Sequence, residues 1–158
     1  MVAGKTGSLI ATSALYGARF AGAPREFEDA LAAYGEIVGS AFQISDDILD
    51  IGSESDESGK TPGTDLREGV PTLPVLLAKR SEDPADARLI ELLDADLTDD
   101  ALHAEALALL RVHPAMAEAR AYVVARAHEA KALLKALPDG PVRDALEAFA
   151  DVVATRTA

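Results

Sequence analysis

Three aspartates are set into an otherwise apolar stretch, Phe42-Gln43-Ile44-Ser45-Asp46-Asp47-Ile48-Leu49-Asp50, and any fold this chain adopts has to neutralise them. Burying a carboxylate without a partner is costly. On a helix, Asp46 and Asp50 stand four apart and Asp47 and Asp50 three apart, so side chains from adjacent turns converge. Gln43 lies one turn earlier, three before Asp46 and four before Asp47, and offers an amide to the same patch. Clustered carboxylate oxygens suit a hard divalent cation, and Mg2+ completes its octahedron with water and substrate phosphate. The stretch therefore calls for a metal and a phosphorylated ligand together. A lone Asp-Asp-x-x-Asp is often only a charged helix face, so its weight depends on what accompanies it.

Candidate phosphate partners flank it. Downstream runs Ser58-Gly59-Lys60-Thr61-Pro62-Gly63-Thr64-Asp65-Leu66-Arg67-Glu68-Gly69-Val70-Pro71-Thr72-Leu73-Pro74, polar and punctuated by Gly and Pro, with one Lys and one Arg. Upstream, Gly4-Lys5-Thr6-Gly7 opens the first helical run. Lysine is a mobile point charge suited to a diphosphate oxygen. Glycines let backbone N–H groups approach an anion closely.

The order Lys-Thr, then Phe-Gln-x-x-Asp-Asp-x-x-Asp, then Gly-Lys-x-x-Gly-x-Asp-Leu-x-Glu-Gly-x-x-Thr-Leu-Pro resembles the trans-isoprenyl diphosphate synthases, the polyprenyl synthetases. The motifs cover roughly residues 4–76. The resemblance implies an all-α helical bundle of the isoprenoid synthase type, truncated to its C-terminal half. Residues 1–158 then form the C-terminal part of one such domain, with the motifs in 4–76 and further helices over 84–157. By the same resemblance Asp46, Asp47 and Asp50 form the second aspartate-rich motif and hold Mg2+ against the diphosphate of an allylic substrate. Lys5, Thr6, Lys60 and Asp65 serve that diphosphate, and Gln43 stands beside the reacting prenyl carbons, so that Lys5, Gln43 and Lys60 are the candidate catalytic residues. The implied reaction is ionisation of an allylic diphosphate, attack by the double bond of isopentenyl diphosphate, and proton loss. Metal and lysine charge would stabilise the departing diphosphate.

Two features depart from the family pattern. Val70 stands where many members place a second lysine. The chain is also half the family's length, and no second Asp-Asp-x-x-Asp occurs in it: Asp99-Asp100 leads into Ala101-Leu102-His103. The expectation is that prenyl transfer needs a partner or a longer chain supplying the first aspartate-rich motif, and that the chain forms a homo-oligomer or pairs with a partner supplying the missing N-terminal half. The alternative is a catalytically silent fragment or regulatory subunit of a synthase. A third reading is an acidic bundle in which the motif is incidental.

Composition narrows the partners. Net charge is −12, which argues against nucleic acid, where a basic stripe is expected, and against an anionic membrane surface. Attraction of a diphosphate must then be local. There are no cysteines, which fits a cytoplasmic setting. No apolar run approaches the roughly 20 residues of a membrane span.

Periodicity and punctuation predict helices over 4–21, 24–51, 72–81, 84–95, 99–112, 115–136 and 141–156, with 52–71 as a long loop of the kind that usually carries function. Gly22 and Pro24 punctuate the first boundary, Pro24 falling in the first turn of the second helix. Thr72 is a cap candidate. Gly35-x-x-x-Gly39 reads as a close helix–helix contact, Glu54–Glu57 as solvated loop, and the 115–136 stripe, with Met116 and Tyr122, as core or interface. His103, His113 and His128 lack ligand spacing and read as structural or exposed.

Overall fold

The computed structural model describes residues 5–53 and 62–157. Lys60 and the acidic run 54–57 therefore lie outside the described residues. Among the described residues eight α-helices follow one another: α1 (Lys5–Phe20), α2 (Arg25–Gly52), α3 (Thr64–Arg67), α4 (Leu73–Ala78), α5 (Ala87–Leu93), α6 (Asp100–Val112), α7 (Pro114–Leu133) and α8 (Pro141–Thr155). Short 3-10 turns sit at Pro84–Asp86 and Leu134–Ala136, and no strand occurs among the described residues. Within those residues no helix is long and apolar enough to cross a membrane. The chain divides into two compact units, 1–45 with 122–158, and 46–121.

In the first unit, α1 closes as its punctuation predicts. Ala23 N–H donates to Ala18 O (3.0 Å) and Gly22 N–H to Arg19 O (3.1 Å), while Gly22 takes φ +71°, the left-handed residue such a helix end needs. The Pro24 carbonyl accepts from Glu28 N–H (3.2 Å), so Pro24 precedes the first turn of α2 instead of lying in it. The chain then doubles back, and the helices meet through small residues. A Cβ on Gly39 would lie 2.6 Å from the Gly7 Cα, and one on Gly35 would lie 2.5 Å from the Ala11 Cα. Backbone therefore touches backbone, as the glycine spacing predicts. The Tyr34 hydroxyl, on a side chain 1% exposed, donates to the Leu146 carbonyl of α8 (2.7 Å). Burial pushes its pKa up to about 12. Lys131 ties α7 to α8 through both Asp151 oxygens, at 2.8 Å each.

In the second unit, α3, α4 and α5 each pack on α6, whose buried stripe is His103, Ala106, Leu107 and Leu110. Asp99 caps α6 by accepting from Ala101 and Leu102 N–H. Arg88 of α5 grips both carboxylate oxygens of Glu105 (2.8 and 2.7 Å).

Two further expectations change. The loop over 52–71 contains α3, because Asp50 supplies the cap that makes so short a helix possible (below). Thr72 occupies the first-cap position of α4, but its hydroxyl makes no capping bond and is buried without a hydrogen-bond partner. Of the 115–136 stripe, read as core or interface, Met116 is buried along α7 with Ala115, Ala119, Val123, Ala127 and Ala130, and Tyr122 is exposed.

Candidate functional site

The C-terminal third of α2 carries the aspartates. Ile44, Ile48 and Ile51 anchor it by burial, at a spacing of four then three residues that defines one helix face. Asp47 shares the buried side at 5% exposure, while Gln43, Asp46 and Asp50 are half-buried.

In the first unit, Thr6 and Gln43 meet: the Thr6 hydroxyl donates to Gln43 Oε1 at 3.2 Å. Two residues 37 apart in sequence are thus joined across the α1–α2 contact. Lys5 is the first residue of α1 and is exposed. Phe42, just before Gln43, lies under the Arg156 guanidinium, 4.4 Å from its ring centre, a cation–π distance.

In the second unit, Asp50 organises the chain that follows the motif. Its carbonyl accepts from Gly63 N–H at 2.8 Å. Its carboxylate accepts from Thr64 N–H at 3.3 Å and from Asp65 N–H at 3.1 Å. These are the unpaired donors at the start of α3, where a carboxylate is the favoured cap. Asp50 and Asp65, predicted as metal and diphosphate residues, are thereby brought together through backbone. Behind them, Arg111 of α6 closes the other helix end: its Nε donates to Ile51 O and its Nη2 to Ser53 O, both at 2.7 Å. A cation on the last carbonyls of α2 is favourable.

Arg67 and His103 complete this unit. The His103 ring, 4% exposed, places Nε2 2.8 Å from Gly63 O and Nδ1 3.1 Å from Arg67 Nη2. Arg67 also donates to Thr98 O (3.2 Å) and pairs with Asp100 (2.9 Å).

Among the described residues, no three carboxylate or imidazole groups converge as a ready-made metal cage. The donor set fits a different kind of cation site. Asp46 and Asp50 offer hard carboxylate oxygens from adjacent turns, and two N–H groups hold the Asp50 carboxylate in place. One or two carboxylates with water and phosphate is how Mg2+ is ordinarily held.

The polyprenyl synthetase family profile matches residues 1–110. The chain belongs to the polyprenyl synthetase family. The nonaprenyl diphosphate synthase of Mycobacterium tuberculosis is 51% identical to it over 152 residues, covering 96% of this chain and 45% of that protein. Heptaprenyl diphosphate synthase component 2 of Bacillus subtilis is 36% identical over 155 residues, covering 96% and 43%. Geranylgeranyl pyrophosphate synthase from Corynebacterium glutamicum, solved with calcium and isoprenyl diphosphate, matches with a TM-score of 0.88 at 42% identity, over 99% of this chain and 48% of that one. The chain spans about half the length of the relatives it matches, and its all-α fold is that of isoprenyl synthases.

Seen as a polyprenyl synthetase, the chain has supporting residues that motif reading passes over. Arg111 and His103 lie on α6, beyond the motifs. The available signal was a lone imidazole among Ala106, Leu107 and Leu110, since a buried ring nitrogen must find a partner.

Proposed function

We propose that this polyprenyl synthetase chain carries the second aspartate-rich motif of an enzyme that joins an allylic diphosphate to isopentenyl diphosphate, giving a longer polyprenyl diphosphate. The observation that carries this reading is the seating of Asp50. The N-terminus of α3 orients its carboxylate through two N–H bonds, which gives a ligand fixed before any cation arrives. Asp46, Asp47 and Asp50 hold Mg2+, with Asp47 set on the buried side. When bound, Mg2+ supplies positive charge against the departing diphosphate. Lys5, Thr6, Lys60 and Asp65 serve the diphosphate. Thr6 also holds the Gln43 amide oxygen, which fixes the orientation of the side chain assigned to the prenyl carbons. Stabilising leaving-group charge by fixed donors is ordinarily the largest catalytic contribution in such chemistry.

Prenyl transfer is assigned to this chain together with a segment bearing the first aspartate-rich motif, carried on a longer polypeptide or a separate subunit in the cytoplasm. The likeness to a component 2 of a heptaprenyl diphosphate synthase supports the separate subunit. Alone, the chain is expected to bind without turning over; product formed by the pure chain would overturn that clause. Without the other aspartate motif, the loss of even one such charge-stabilising element costs about 2.7–4 kcal/mol of barrier.

Thermal unfolding with and without Mg2+ plus inorganic diphosphate tests the site. At 100-fold over Kd the ligands should add about 2.7 kcal/mol, a rise of about 5–11 °C at this chain length, and Asp46→Ala should abolish the rise. A melt indifferent to both ligands rules out the aspartate site as proposed.

A further inference from the structure

We propose that His103 is a positioning residue for the aspartate site, acting on Asp50 through Gly63 and the start of α3. The inference rests on the reading of Asp50 as a metal ligand. A guanidinium has donors only, so the contact with Arg67 Nη2 at 3.1 Å makes His103 Nδ1 the acceptor. Nε2 then carries the proton and donates to the Gly63 carbonyl at 2.8 Å. On the other side of the same residue, Gly63 N–H donates to Asp50 O at 2.8 Å, and the next two N–H groups hold the Asp50 carboxylate. Hydrogen bonds therefore run from an imidazole on α6 through Gly63 to the Asp50 backbone carbonyl, and the two peptide N–H groups that follow Gly63 reach the Asp50 carboxylate.

Space enforces the same arrangement. Gly63 takes φ +71°, and a Cβ there would lie 2.8 Å from His103 Nε2 and 3.0 Å from Leu107 Cδ1. The imidazole is thus the surface on which this turn seats. Packing alone does not call for it. The neighbouring positions of the α6 stripe are Ala106, Leu107 and Leu110, and burying an imidazole among them is unfavourable unless its nitrogens are paired. Both are paired, one to the turn that carries α3 and one to α3 itself through Arg67. Outer partners of this kind commonly set ligand orientation and change metal affinity by about 10–100-fold when removed.

The test compares His103→Phe, which keeps the ring volume without the donor, with His103→Gln, whose amide can still donate to Gly63 O. Two quantities are read: NMR-detected amide exchange at Thr64 and Asp65, and calorimetric binding of Mg2+ with inorganic diphosphate. His103→Phe is expected to weaken binding by about tenfold and to speed exchange at those two amides, with Ile48 and Leu110 amides unchanged. His103→Gln should recover most of both. Unchanged exchange at Thr64 and Asp65, or unchanged binding, in His103→Phe overturns the proposal. If the unaltered chain binds neither ligand, the metal-site reading fails by itself, and the exchange measurement still decides whether His103 holds α3 on Asp50.

Discussion

One oxygen of Asp86 serves two donors. Ser81 Oγ–H reaches Oδ2 at 2.6 Å and His113 Nε2 lies 3.0 Å from the same atom, while His113 Nδ1 accepts from Ala115 N–H at 3.0 Å. The imidazole thereby caps the start of α7 and ties it to the 3-10 turn. The Ser81 hydroxyl first, and His113 second, hold the Asp86 carboxyl below its ordinary range. A lowered folded-state value means stability that is present above the unfolded pKa and is lost as pH falls through the folded one. Asp86→Asn should therefore lower the melting temperature at neutral pH and flatten its fall from about pH 5 downward, the two chains converging in acid; a neutral melting temperature and an acid limb both equal to those of the unaltered chain refute the assignment. At this scale the aspartates were legible because their spacing lies within a single helix. The Thr6–Gln43 bond, His103 under Gly63 and Arg111 on Ile51 were not. Each depends on the register between two helices, about which local sequence carries no information.

The helices themselves were largely readable, since proline, glycine and caps mark their ends and those signals act over a few residues. Helix α3 escaped because its cap comes from Asp50, fourteen residues before Thr64, and four residues have too little propensity to declare a helix alone. The α1–α2 contact yields a paired prediction. Gly39→Ala would drive a methyl to 2.6 Å from the Gly7 Cα, and should destabilise by about 1–3 kcal/mol, as overpacking does. Gly17→Ala, on the same pair of helices, meets nothing within 4 Å and should stabilise by up to about 1 kcal/mol through helix propensity. Chemical denaturation of both variants checks this; equal shifts in the same direction would show that the glycine contact is not tight.

At the scale of the molecule, charge and apolar surface oppose each other. Net charge is −12, which keeps copies apart at low ionic strength. Yet α1 exposes Leu9, Tyr16 and Phe20, the last at 85%. An apolar groove of about 570 Å³, lined by Phe27, Leu31, Val142 and Leu146 among others, opens in the same unit. Exposed apolar surface of this kind promotes association, and salt at about 0.15 M cuts the repulsion to a range of about 8 Å. Self-association that rises with salt is expected in sedimentation experiments, with Phe20→Ser reducing it. A monomer at every salt concentration, with no binding of a hydrophobic dye, would contradict this. Composition foretold the acidity and the aspartate motif foretold the family, but neither contains the three-dimensional patch.

The glycine pairs also act as a ruler. Gly7 meets Gly39 and Ala11 meets Gly35, two notches one helical turn apart on each of two antiparallel rods. Sliding α1 by a single residue, about 1.5 Å, would bring a side chain where only hydrogen fits. Axial position is thus indexed by steric exclusion, independently of the turn at 21–24, and the setting is read out at the tip of the rod, where Thr6 finds Gln43. Lengthening or shortening that turn should leave the Thr6–Gln43 pairing where it is.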